Sequence, residues 1–466
     1  LSRGLGVVYK RQHITYPYKK SYIGKHCFFI LLKIIIISNN IIEKLGGSIM
    51  ISATGAIAGL VLAIILIIRK FNPAYSLIIG SLVGGLLGGA GLVDTVSFMV
   101  KGAQGMMPAI LRIVTAGILA GVLIETGAAS KIAETIVNTL GESKALFALV
   151  ISACILTSVG VFIDIAVITV APIALALAKK INISKTSILI AMIGGGKAGN
   201  IISPNPNAIA ASEAFNIPLT SIMFAGLIPA VFGIIVTVVI AKILSKKGAK
   251  IADEDIQEEE RKEYPSFFAS IIGPLFAIFL LALRPIAKIV IDPLIALPLG
   301  GFIGCLAMGK IRNINEYCKT GLNKMIMVAI ILIGTGTLSG IIANSNIKDL
   351  ITSLLNSTGA PAFLLAPLSG ILMSAATAST TSGTAVASKV FGPSIVSLGV
   401  QPLSAAAMIH SGATVLDHLP HGSFFHATGG SVNMEMKDRL LLIPFETTVG
   451  LVLTAVSTIL FGIFHF

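Results

Sequence analysis

Tryptophan is absent from this 466-residue chain, and charged side chains make up only 12% of it. Soluble domains run near a quarter charged, so the shortage of charge excludes an ordinary water-soluble globule. The 55% hydrophobic content and mean hydropathy of +0.93 point instead to a polytopic membrane protein. Without Trp, any interfacial aromatic belt rests on Tyr and the 22 Phe. Cysteine is scarce as well. Cys27, Cys154, Cys305 and Cys318 lack CxxC spacing and lie in or near apolar runs, which argues against a disulfide framework or a zinc site. No histidine stands with a Cys or Glu at a metal-binding spacing such as HExxH, so no metal, cofactor or enzyme centre is expected.

The formal charge of +13 does not imply a nucleic-acid partner, because it is unevenly placed. Residues 1–49 carry +7, with eight Lys/Arg against Glu43, and four of the seven Tyr. This stretch reads as a non-native or untranslated leader, with Leu45-Gly46-Gly47 suggesting a ribosome-binding site ahead of a start at Met50.

From Met50 the chain reads as a duplication. Arg69 matches Arg284, Gly84 matches Gly300, Gly117 matches Gly336, Pro172 matches Pro393, Pro204 matches Pro420, and Leu227-Ile-Pro229 matches Leu442-Ile-Pro444. Offsets stay between 215 and 222 throughout. Two homologous halves are therefore expected at 50–244 and 266–466, joined by a linker at 245–265 too charged to enter a bilayer. Spanning helices need about 20 apolar residues. Candidates are 51–68, 74–93, 108–126, 145–178, 186–213 and 218–243, then 266–283, 289–308, 325–343, 362–399, 403–430 and 441–463. Stretches 145–178 and 362–399 are broken at Thr157–Gly160 and Ala378–Thr384 and read as hairpins. The expected fold is all-α, with about five crossings plus a hairpin per half. An odd crossing number inverts the second half. Nineteen Lys/Arg on one face against four on the other place the linker in the cytoplasm.

Charge at bilayer depth is costly, and chains that keep it commonly use it to move ions or substrates. His410, Asp417, His418, His421 and His426 fall within seventeen otherwise apolar positions, and a second polar break runs from Gly194 to Asn207. Interrupted helices near the midplane offer free N–H dipoles and unwound carbonyls to substrate and coupling ion. Candidate substrate ligands are Lys197, Asn200, Ser203, Asn205 and Asn207 in the first break, with Ser379, Thr380, Thr381 and Ser423 in the second half. Asn amides donate and accept, which suits carboxylates and hydroxyls. Lys197 suits an anionic substrate, or equally a structural ion pair with Asp164 or Glu213. The hydroxyls suit either contact with a ligand or a bond back to their own helices. Asp164, Glu213, Asp417, His418, His421 and His426 are the candidates for proton coupling.

At Gly194–Phe215, Ala375–Ala387 and Asp417–Phe425 the chain resembles the gluconate permease family, within the ion transporter group of inverted-repeat carriers. The resemblance implies proton-coupled symport of a sugar acid or related hydroxy acid across a bacterial inner membrane. It also implies a homodimer built on a scaffold domain. Where members known for gluconate look to carry a His-Pro-Gly-Pro-like element, this chain has Asn205-Pro206-Asn207-Ala208, which leaves glycerate or hydroxybutyrate open. Competing readings are a sodium-coupled di- or tricarboxylate carrier and, more remotely, an ion channel or structural membrane subunit.

Overall fold

The structure is a computed structural model that describes residues 50–255 and 264–466. The proposed leader lies outside the described residues, as does part of the linker. Among the described residues there are helices and no strands, save one isolated parallel bridge between Ile51 and Ser345.

The first half holds α1 (Ala53–Ile68), α2 (Pro73–Leu87), α3 (Leu92–Gln104), α4 (Met107–Glu125), α5 (Ala128–Leu140), α6 (Ala145–Ser158), α7 (Ile163–Lys180), α8 (Lys185–Asn200), α9 (Pro206–Phe215), α10 (Leu219–Ala225) and α11 (Leu227–Leu244). The second holds α12 (Phe267–Ala287), α13 (Pro293–Ala307), α14 (Ile314–Ala343), α15 (Ile347–Thr358), α16 (Leu365–Thr377), α17 (Thr380–Ser397), α18 (Pro402–Gly412), α19 (Ser423–Ser431), α20 (Met436–Leu441) and α21 (Ile443–Thr458). Helix starts follow local chemistry. Asn72 and Asp292 accept backbone N–H bonds just before Pro73 and Pro293, whose missing N–H costs nothing at that position.

By length and composition five helical segments are long and apolar enough to cross a membrane, or up to seven if each of two bent pairs is one span. Shorter apolar helices include α1, α2 and α13. All four expected interruptions are present, between α6 and α7, α8 and α9, α16 and α17, and α18 and α19. One element differs from its sequence counterpart: α14 runs unbroken for 30 residues, whereas the matching first-half region is split into α3 and α4. Gly105 and Pro108 flank that split, and Pro108 has no N–H to continue a ladder.

Small residues set how closely the helices approach, as membrane interfaces favour. A Cβ on Gly59 of α1 would lie 2.7 Å from Gly84 Cα of α2, and one on Gly273 of α12 would lie 3.0 Å from Gly304 Cα of α13. Packing pairs recur between the halves: α1 with α2 and α12 with α13, α6 with α8 and α16 with α18, α8 with α11 and α18 with α21. All 16 residues of α8 are buried. By contrast α11 and α12 expose Phe232, Ile235, Val239, Phe268, Leu275 and Phe279, an outer surface suited to lipid.

Candidate substrate site

The polar breaks exist because their residues cannot continue a helix. In α8 the ladder stops at Asn200, and neither Pro204 nor Pro206 has an N–H to offer. Asn205 closes the gap. Its Oδ1 accepts from Ala208 N at 3.0 Å, and its Nδ2 donates to Asn200 Oδ1 at 2.6 Å and to Asn200 O at 2.7 Å. With its amide used in this way Asn205 is a buried cap that turns away from open space, one candidate ligand whose geometry serves the backbone. The second-half hairpin turns at Ala378, held at φ 46°, and α17 starts from Ser379, whose hydroxyl accepts from Ser382 N. The unwound stretch between α18 and α19 carries Asp417 and His418 inward.

These interruptions surround a cavity of about 400 Å³. It is lined by Asp164, Asn200, Asn207, Ser379, Thr380, Thr381, Asp417, His421 and Ser423, together with Lys324 and apolar Phe162, Val328 and Ile331. Nine side chains singled out in the sequence, drawn from both halves, therefore meet at one place. The halves are tied together there: Thr381 Oγ1 donates to Asn207 Oδ1 at 2.5 Å.

Lys197 does not line the cavity. It is 0% exposed and sits behind the wall, where Nζ donates to Asp417 Oδ1 at 2.6 Å and to Thr414 O at 2.5 Å, with His418 Nδ1 at 3.0 Å. Its ion pair is thus with Asp417, in place of the Asp164 or Glu213 considered from sequence. A partner 220 positions away leaves no local trace. Thr380 Oγ1 donates to the other Asp417 oxygen at 2.5 Å. His418 Nδ1 lies between the Lys197 ammonium at 3.0 Å and Asp417 Oδ1 at 3.1 Å, while Nε2 faces Ile443 O at 3.2 Å and Thr447 Oγ1 at 3.1 Å. The carbonyl of Ile443 only accepts, so Nε2 carries a proton and donates there.

The network continues to two residues that sequence reasoning missed. Glu446 Oε2 lies 3.9 Å from His418 Nδ1, and Glu446 pairs with Arg439. Arg439 is 1% exposed; it also donates to Phe425 O at 3.2 Å and Thr428 Oγ1 at 3.1 Å, and its guanidinium lies 4.5 Å from the Phe425 ring centroid. Glu446 was visible as the one acid within 441–463. From sequence Arg439 counts among the nineteen basic residues of the linker's face, because a basic residue flanking an apolar run looks the same whether it turns outward or inward. Around His418, two basic side chains (Lys197, Arg439) are paired with two acidic ones (Asp417, Glu446).

The remaining contacts of the candidates are separate from this network. Ser203 is buried, and its hydroxyl has no hydrogen-bond partner among the described residues. His421 reaches Ala376 O at 3.2 Å, and His426 reaches Pro420 O at 2.8 Å without lining the cavity. Glu213 sits in a separate cleft of about 150 Å³, where it pairs with Arg112. Arg112 also grips the N-cap of α13, with Nε 2.8 Å and Nη2 2.6 Å from the two Asp292 oxygens. Outside the spans, Lys185 bonds Asp255 at 2.7 Å and Asn433 O at 3.0 Å, fastening the start of the linker. Burial alone would push the Asp255 carboxyl up, but the Lys185 ammonium and the Ala252 N–H outweigh it and hold the group below the usual carboxylate range. That fastening is kept at neutral pH and is lost as the pH falls through the folded-state value.

Comparison with known proteins places this arrangement in a family. The profile of the GntP family permeases matches residues 49–464. An uncharacterized transporter of Haemophilus influenzae is 60% identical over 416 residues, covering 89% of this chain and 99% of its own. A high-affinity gluconate transporter of Escherichia coli K12 is 23% identical over 396 residues, covering 79% of this chain and 89% of its own. A D-serine transporter of Escherichia coli O6:H1 is 22% identical over 383 residues, covering 76% and 85%. In fold, the crystal structure of the Alcanivorax borkumensis YdaH transporter aligns with a TM-score of 0.64 at 15% identity, covering 80% of this chain and 89% of that one.

Proposed function

Because the chain belongs to the GntP permease family, and so is a membrane transporter and not an enzyme, we propose that it carries a small sugar acid or hydroxy acid together with a proton. The observation that carries this reading is the balanced charge cluster at the wall of a hydroxyl-lined cavity. One proton added to Asp417 or His418 leaves a net positive charge in the interior, and an unpaired buried ion costs several kcal/mol. A monoanion entering the cavity alone brings the opposite imbalance. The two together cancel, so each makes the other's arrival less costly, which is coupling in its thermodynamic sense. Relatives named for gluconate and for D-serine share a small hydroxylated acid as substrate, which agrees with the lining of Ser379, Thr380, Thr381 and Asn207.

The test is uptake of a labelled hydroxy-acid panel into proteoliposomes with proton and sodium gradients imposed separately. Accumulation is expected to follow the inward proton gradient. Uptake that survives collapse of that gradient but stops without sodium would favour the alternative, a sodium-coupled di- or tricarboxylate carrier.

The same reading includes two inverted repeats, supported by the recurring helix pairs, and a bacterial inner-membrane location with the linker in the cytoplasm. It also includes a homodimer formed through spans 51–126 and 266–343, with segments 145–213 and 362–430 moving against that scaffold. Arg112 joins α4 and the α13 N-cap to Glu213 on α9, a tie between the two proposed units. Arg112→Gln is expected to change the labelling rate of a cysteine placed at Asn216 by about fivefold, the equivalent of ~1 kcal/mol for a partly exposed pair. An unchanged rate would mean that the tie does not restrain motion.

A further inference from the structure

We infer that Lys324 receives the substrate's carboxylate, and that Asp164 across the cavity restricts the site to acids with one such group. The inference rests on the organic-acid carrier reading and adds the residue that reads the charge.

A carboxylate entering the cavity needs a cation with unused donors. Lys197 is the cation the sequence suggests, but it is excluded on geometry. An ammonium has three donors, and Lys197 faces Thr414 O, Asp417 Oδ1 and His418 Nδ1 at 2.5, 2.6 and 3.0 Å, with no exposed surface. Arg439 is equally committed, to Glu446, Phe425 O and Thr428. Among the described residues lining the cavity, Lys324 is the one cation. It is exposed and makes no ion pair with another described residue.

Its position suits the role. Lys324 projects from α14, while Ser379 and Thr380 come from the hairpin turn and Asn207 from the start of α9. An acid with its carboxylate on Lys324 places a hydroxylated tail toward those hydroxyl and amide groups. A volume near 400 Å³ is of the size that holds a small ligand. The substrate then touches both α14 and the interrupted segments, so binding spans the two units proposed to move.

Asp164 supplies the selectivity. It lines the same cavity as Lys324 and makes no ion pair with another described residue. The other lining carboxylate, Asp417, is already neutralised by Lys197. Unpaired fixed charge in the cavity thus amounts to one cation and one anion. One substrate carboxylate finds Lys324; a second finds Asp164 and is repelled, a device that rejects by like charge.

The test uses the purified full chain and measures binding by competition against labelled gluconate, with glycerate, the neutral polyol glucitol and the dicarboxylate glucarate as competitors. Lys324→Gln is expected to weaken gluconate and glycerate by roughly 10- to 100-fold, the scale of a lost charged hydrogen bond. Lys324→Arg should stay within a few fold, and binding of glucitol, if measurable, should not change. Asp164→Asn should raise the affinity for glucarate relative to that for gluconate by about tenfold or more. A thermal melt of each variant separates lost binding from lost fold. Wild-type gluconate and glycerate affinity in Lys324→Gln would overturn the assignment while leaving the carrier reading intact, and would make Lys324 a structural counterion of Asp164. Failure of the unaltered protein to bind any hydroxy acid would overturn both.

Discussion

Asp417→Ala is expected to abolish uptake and to destabilise the protein by about 3–5 kcal/mol, because breaking a buried pair leaves an uncompensated charge. The charge left behind is Lys197, with no exposed surface through which water can solvate it. Its remaining neighbours, Thr414 O and His418 Nδ1, carry no negative charge and cannot replace a carboxylate. Thr380 Oγ1 loses its acceptor in the same step. The double variant Lys197→Met with Asp417→Leu removes both charges at once, and such apolar replacement is often neutral for stability. Thermal unfolding in detergent should therefore recover most of the loss in the double variant, whereas uptake in proteoliposomes should stay absent. If the single variant melts like the unaltered protein, the pair is not the charge-balanced interior element that the coupling argument requires. If the double variant transports, the cluster holds the fold but carries no proton.

Much of this site was legible in the sequence because the chemistry that breaks a helix is local. Pro204 and Pro206 and the hydroxyl-rich turn at Ala378–Thr384 announce interruptions through missing donors and local side-chain bonds, and the structure breaks its helices there, whereas the Gly194–Gly196 run stays inside α8. What was not legible was direction. Asn205 and Asn207 sit two positions apart and look equivalent, yet Asn205 folds back as a cap while Asn207 reaches the cavity and Thr381. Pairing across the molecule was equally hidden. For Lys197 the sequence offered Asp164 or Glu213, and only the approach of the end of α8 to the unwound segment before α19 selects Asp417. From sequence Lys324 is one more of the nineteen basic residues of the linker's face, because sequence records that it follows a polar stretch, not that α14 turns it into a cavity.

The second large effect is expected at Arg439, where the same physics acts on an anchor instead of a cavity wall. Arg439→Met leaves Glu446 buried at 0% exposure without its cation, so a loss of about 3–5 kcal/mol is expected. More than an ion pair is at stake. The guanidinium holds Phe425 O and Thr428 Oγ1, both on α19, and lies over the Phe425 ring. Since α19 follows the unwound segment that bears Asp417 and His418, Arg439 fixes the far end of that segment. Lys is a poor substitute, because one ammonium cannot reproduce a planar fork that bonds a carboxylate and a carbonyl while stacking on an aromatic face. Arg439→Lys should therefore recover part of the stability and little of the order in α19. Amide exchange over residues 413–431 provides a readout apart from melting. Both variants should speed exchange there, and Arg439→Met with Glu446→Leu should restore the melt without restoring that protection. Protection of 413–431 that is unchanged in Arg439→Met would confine Arg439 to neutralising Glu446. The ordering of the Asp417 segment would then have to come from Lys197 and Thr380 alone.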